Sequence, residues 1–186
     1  MSRVKKMVLN LEHLITGVPP MKWLLLAPSV ALNRLLWVWG RLRFSALVRR
    51  RGLGCVCHWN VDLKYPENLV LGDEVVIGVN ASLGAHSPIR IGHRVRISKE
   101  VQIETAGLDF LSGPPPYRHQ SKPIIIEDGV WIGTRSMVLG GVRIGAHAVI
   151  AAGSIVTRDV PPRTLVAGTP AKVIRQLPHF EQDTPS

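Results

Sequence analysis

A six-residue repeat, a scarcity of aromatic side chains and an abundance of turn formers predict a left-handed parallel β-helix for most of this 186-residue chain. Ile126, Ile132, Val138, Ile144, Ile150 and Val156 follow one another at intervals of six without a slip. Four places beyond each stands a small or β-branched residue: Val130, Ser136, Val142, Ala148, Ser154 and Val160. Upstream, Leu71, Ile77 and Leu83 are partnered by Val75, Ala81 and Ser87, and after a two-residue insertion the run resumes at Ile91, Ile97 and Ile103. A helix face repeats every 3.6 residues and a half-buried strand every two, so neither yields a fixed six. Six residues suffice for one short strand and one corner. Three hexads then close a triangular coil, with the large aliphatics inside and the small residues where two sides converge. Stacked coils pair through their main chains, as in other solenoids. The composition fits thin aliphatic layers joined by many turns: 46% apolar residues but only 5% aromatic, with 17 Gly and 14 Pro. Glycines 72, 78, 84, 92, 133 and 145, one place after a large aliphatic, are expected to let the backbone turn.

Taken in order, residues 1–60 form a basic, Trp-rich segment predicted to be helical. The stretch from Met21 to Gly40 is apolar but interrupted by Lys22, Pro28, Asn33 and Arg34, which argues against a membrane-spanning helix. Two readings stay open for it: a helix lying in a membrane interface, or one packed on the end of its own domain. Residues 61–160 are assigned to the β-helix. Residues 107–122, with three consecutive prolines and no apolar repeat, are expected as a loop thrown out from one corner. Residues 161–186 form a capping segment and tail, in which Thr169 and Pro170 introduce a short helix from about Ala171 to Leu177. Cys55 and Cys57 share one face of an extended segment and read as small buried thiols rather than a disulfide or a metal site.

The formal charge of +10, with 23 basic against 13 acidic residues, leaves three partner classes: nucleic acid, an anionic membrane surface or a phosphorylated ligand. No nucleic-acid-binding module pattern is present, so nucleic acid is not expected. Arg34, Arg41, Arg43, Arg49, Arg50 and Arg51 crowd among Trp23, Trp37 and Trp39, which points to peripheral membrane contact through residues 21–51. The expected location is cytoplasmic, at the inner face of the membrane.

Two segments, KPIIIEDGVWIG (Lys122 to Gly133) and IGAHAVIAAGSIVTRDVPPRTLVAGTPAKVIRQL (Ile144 to Leu177), resemble the hexapeptide-repeat O-acetyltransferases. The likeness runs from about Val61 to Leu177. It is nearest to the group that acetylates exopolysaccharide and colanic acid sugars, with maltose and galactoside acetyltransferases more distant. The resemblance implies a homotrimer with acetyl-CoA as donor in each cleft between prisms, no metal, and a sugar or lipid-linked glycan as acceptor. It places Trp131 and Gly133 near the thioester, and Ala151 and Gly153 in backbone contact with the pantetheine amides. Thr157, Arg158, Lys172 and Arg175 would face the phosphates, a role that Lys and Arg suit chemically.

Acyl transfer to a hydroxyl needs a general base and a donor for the developing oxyanion. The resemblance implies a histidine in the loop after Ala106, followed by an aspartate. Asp109 matches the acid, and the flanking Thr105, Lys122, Pro123 and Ile124 are in place, but Leu108 occupies the histidine's position. His119 in the loop and His86, one coil below the place of the usual base, are the candidate replacements, with Asp109 as a possible assistant. His93 and His147 read as solvent-facing, His13 and His179 lie in the flanks, and His58 precedes the clear repeats. A trimer that has lost its base and serves as a scaffold or CoA-binding regulator is the alternative. The metal-dependent γ-type carbonic anhydrases share the fold, but the spacing of His86, His93 and His119 does not match their three-histidine site.

Overall fold

The computed structural model describes residues 19–179; the first eighteen residues of the basic segment and the end of the tail, with His13, lie outside the described residues. Among the described residues, those up to Trp39 and those from Gly40 onward belong to two compact units. Helix α1 runs from Pro19 to Leu47 and contains Pro28. In its first unit Leu26, Val30, Leu32, Leu35, Trp37, Val38 and Trp39 are all exposed. In the second unit, Phe44 and Val48 are buried in the core. The Arg51 guanidinium donates to the Ser45 and Val48 carbonyls at 3.2 and 3.1 Å and lies over the Phe44 ring at 5.7 Å. The carbonyls at a helix C-terminus lack intrahelical partners and carry partial negative charge, which is why a cation settles there.

The rest is a parallel β-helix of about six turns built from three sheets. The first sheet stacks Arg50–Arg51, Leu69–Leu71, Ile89–Ile91, Ile124–Ile126 and Arg143–Ile144. The second stacks Val56–Cys57, Val76–Ile77, Arg96–Ile97, Trp131–Ile132, Val149–Ile150 and Thr164–Gly168, and the third stacks Asp62–Lys64, Ser82–Gly84, Gln102–Glu104, Met137–Leu139 and Ile155–Val156. The twelve large aliphatics of the repeat are all buried, each contributing roughly 1.5–3 kcal/mol. At the narrow positions Ser136 and Ser154 are buried, and the Ser136 hydroxyl donates to the Gly133 and Ala151 carbonyls at 2.7 and 2.9 Å, so its burial leaves no polar group unmet.

Three expectations need correction. The solenoid begins near Arg50 rather than at 61. Arg51 pairs in register with Leu71, and Cys57 with Ile77, so the first coil hides its repeat behind an arginine and a cysteine. Burial pushes the Cys57 thiol up to about 12, against a smaller opposing pull from Arg43, as befits a thiol serving as core. Second, the predicted C-terminal helix is a strand: Ala171–Gln176 pairs antiparallel with Thr164–Gly168. Six residues are too few to sustain a helix alone, whereas the open edge of the second sheet offers them a full set of main-chain partners.

Third, the glycines that follow the large aliphatics are not the turning residues. A Cβ at Gly133 would lie 2.6 Å from the Ala152 nitrogen of the next coil, so close stacking is what excludes a side chain there. The left-handed backbone falls two residues later in each corner. Between first and second sheets it is taken by Gly54, Glu74, Arg94, Gly129, His147 and Arg163; between second and third it is taken by Asn80, Glu100, Arg135 and Gly153. The third corner, leading back to the first sheet, follows no such rule. It holds Tyr65–Asn68 in one turn and Ala85–Pro88 in the next. In the third turn it opens into an antiparallel hairpin, Ala106–Asp109 with Arg118–Ser121, where an irregular loop was expected.

Candidate active site

The hairpin root collects polar groups from successive turns of the third corner. The buried Thr105 hydroxyl donates to the Gly84 carbonyl at 2.8 Å and accepts from the Ser87 N–H at 3.0 Å. The Ser87 and Ser121 hydroxyls lie 2.6 Å apart, and His86 Nδ1 is 3.2 Å from Ser121 Oγ. The His86 ring stands edge-on to Tyr65 with centroids 5.2 Å apart, and Asn68 donates to the Ala85 carbonyl at 2.9 Å from the turn below. His86 thus pins the hairpin's return strand to the coil. Beside this network is a cavity of about 290 Å³ lined by residues including Thr105, Gly107, Gln120, Ser121, Lys122 and Gly140.

Two residues further out, Leu108 and His119 sit directly opposite each other across the hairpin. Their Cβ atoms are about 4.5–5.5 Å apart by strand geometry. Alternation puts both on the hairpin face shared with Ala106 and Ser121, roughly 7 Å beyond the root. Both are exposed. Asp109 is engaged elsewhere. Its carboxylate accepts from the Leu111 and Ser112 N–H groups, each at 3.2 Å, and from the Ser112 hydroxyl. These bonds, the Ser112 hydroxyl foremost, hold its carboxyl below the ordinary range. Asp109 therefore organises the hairpin tip.

The residues assigned to the donor are divided between two sides of the prism. On the second sheet Trp131 pairs with Val149, Val149 with Leu165, and Leu165 with Arg175, one lateral row four strands wide. At about 4.8 Å per strand, Trp131 and Arg175 are some 14 Å apart. Trp131 is 53% exposed and donates from Nε1 to Ser98 Oγ at 3.1 Å, which fixes the ring against the sheet. Lys172 lies on the same strand as Arg175. Thr157 and Arg158, by contrast, are exposed on the third corner, across the prism from this row. Gly133 is buried. The Ala151 N–H donates to the Val166 carbonyl and the Gly153 N–H to the Thr134 carbonyl, so contact with an amide ligand cannot come from those two N–H groups. Gly153 itself has φ of +71° with open space where a Cβ would be.

No group of three or more His, Cys, Asp or Glu among the described residues is arranged to hold a metal ion. Asn68 and Ser121 escaped the sequence reading, and Ser87 entered it only as a repeat position. The signal was the chain in excess of three hexads, which falls at this corner in each of the first three turns.

Residues 123–158 match the family described as bacterial transferase hexapeptide (six repeats). A hexapeptide-repeat containing acetyltransferase from Vibrio cholerae is 31% identical, with a TM-score of 0.70 over 80% of this chain and 90% of that one. The chain belongs to the hexapeptide-repeat acetyltransferases. That Vibrio family member has also been solved in complex with acetyl-CoA. A maltose O-acetyltransferase from Clostridium difficile is 25% identical with a TM-score of 0.68, over 89% of this chain and 92% of that one. A Schizosaccharomyces pombe protein named for acetyltransferase activity is 40% identical over 115 residues, 61% of this chain and 55% of its own. The chain thus spans about half the length of that curated relative, and only 26% of a Staphylococcus aureus tetrahydropyridine-dicarboxylate N-acetyltransferase that is 58% identical over 64 residues.

Proposed function

We propose that this protein transfers an acetyl group from acetyl-CoA to a sugar hydroxyl in exopolysaccharide or envelope glycan assembly, working as a homotrimer. The observation that carries the catalytic part is the Leu108/His119 pair: the imidazole missing from one hairpin strand is supplied directly across from it by the other. His119 would take the proton of the acceptor hydroxyl as its oxygen attacks the thioester carbonyl. The carbon–sulfur bond then breaks and the proton passes to the departing thiolate. His86, held by Ser121 and Tyr65, would position the hairpin.

The second-sheet row suits the donor, with an exposed indole at one end, an aliphatic middle and Arg175 at the other. Because the row and the hairpin corner lie on different sides of one prism, a complete site takes the corner from one copy and the row from the next. This supports the trimer. The maltose O-acetyltransferase neighbour supports a sugar acceptor.

The test is thiol release from acetyl-CoA with a panel of sugar acceptors, beside calorimetric binding of acetyl-CoA. His119→Gln is expected to lower turnover by roughly 10²–10⁴ with donor binding unchanged, and His86→Gln to lower it far less. Full turnover in His119→Gln would remove His119 as the base. Leu108 favours a second reading, a CoA-binding trimer without turnover acting as a scaffold or regulator. Binding with no turnover on any acceptor, and turnover appearing in Leu108→His, would establish that reading instead.

A further inference from the structure

Independently of any chemistry at the hairpin, we propose that the segment from Leu26 to Arg50 docks the protein onto an anionic lipid bilayer. The charge of the chain is strongly uneven. Between Glu12 and Asp62 there is no acidic residue, while Lys22, Arg34, Arg41, Arg43 and the run Arg49 to Arg51 supply seven positive charges. Ten of the 23 basic residues but only one of the 13 acidic ones precede Asp62, so nine of the ten net charges lie there and the solenoid is nearly balanced.

The same segment carries uncovered apolar surface. At 100° per residue, Ala31, Leu32, Leu35, Val38 and Trp39 of α1 share one face, and Arg34 borders it. Leu35 is 68% and Leu32 57% exposed, and Trp39 is exposed beside them. A helix with so apolar a face is ordinarily covered by protein or by lipid. Trp and Arg at the margins of an apolar stripe are the side chains that suit a bilayer's headgroup level. No helix among the described residues is long and apolar enough to cross a membrane, which leaves α1 to lie along the surface.

Charge selects between lipid and a second copy. Pairing this segment with itself would set five positive charges against five more, with no acidic side chain on either to offset them. A surface of phosphate headgroups suits the exposed Arg34, Arg49 and Arg50. Nucleic acid would answer the charge but not the leucine face.

The test is co-sedimentation of the full chain with vesicles of phosphatidylcholine alone or mixed with phosphatidylglycerol. Binding is expected only to the anionic vesicles and should fall steeply as salt rises from about 0.1 M to about 1 M, where screening shrinks from about 10 Å to about 3 Å. The triple variant Arg34→Gln/Arg49→Gln/Arg50→Gln is expected to weaken partition roughly a hundredfold. Leu35→Ser/Val38→Ser should weaken it as well, with the thermal transition of the solenoid unchanged as the control for folding. Equal sedimentation with neutral and anionic vesicles, or unchanged partition in the leucine–valine variant, would overturn the proposal. So would absence of vesicle binding together with a smaller particle in the leucine–valine variant, which would assign the helix to a second copy.

Discussion

The three corners of the prism do not obey one rule. Two of them turn by a recurring device: a short corner with one residue in the left-handed region at each level except His58–Val61, often with a glycine pressed against the next coil's backbone. The third is different at each turn. It is a short 3-10 turn at Pro66–Asn68, a compact loop at Ala85–Pro88, a hairpin after Thr105 and a tight passage through Gly141. The regular corners set the pitch and hold the aliphatic layers in register. The irregular corner is free of that duty, and there the serine hydroxyls, His86 and His119 accumulate. Polar groups gather where the repeat stops constraining the chain.

If that division holds, the largest effect belongs to the regular part. Ile132→Ala, at a fully buried position, should cost about 2–5 kcal/mol and lower the thermal midpoint sharply. Thr105→Val should cost less, about 1–3 kcal/mol, by leaving the Ser87 N–H without its acceptor, while the Gly84 carbonyl keeps the Thr105 N–H; denaturant unfolding measures it. Replacing Leu108–His119 by Asn-Gly closes the Gly107/Gln120 pair with a two-residue turn. It should shift stability by no more than about 1 kcal/mol while abolishing any transfer activity. A large loss of stability in that variant would show that the third corner is structural after all. The smallest effect is one of pH. The Asp109 carboxyl is held low in the folded chain, so its contribution to hairpin order is present above the ordinary carboxylate range and is lost as pH falls through the lowered value. Protection of the Leu111 and Ser112 amides, measured relative to their intrinsic exchange rate at each pH, should fall in acid while the coils keep theirs.

The sequence announced the regular corners because buried aliphatics must recur when each turn repeats the last. It concealed the first coil because Arg51 answers the carbonyls at the end of α1 rather than a neighbouring layer. The C-terminal strand was misread for a related reason. Ala-Lys-Val-Ile-Arg-Gln after a proline has helical local preferences, and only the open sheet edge beside it decides otherwise. At the third corner, spacing revealed that a loop leaves the prism. It did not reveal that His119 would face Leu108, because cross-strand pairing is fixed by the length of the hairpin and by its tip.

The left-handed corners also bear on how this chain can be engineered. Among the described residues eight non-glycines hold positive φ, and only Asn80 is of a type that accepts it easily. Glu74 and Arg94 hold the same conformation on the surface, with no buried contact to lose. Asparagine at such sites relaxes local strain without loosening the unfolded chain as glycine would. Each exchange can raise stability by about 0.5–2 kcal/mol, and sites stacked along an edge far from the hairpin can be combined without touching its chemistry. The protein carries, ready-made, a ladder for thermostabilisation.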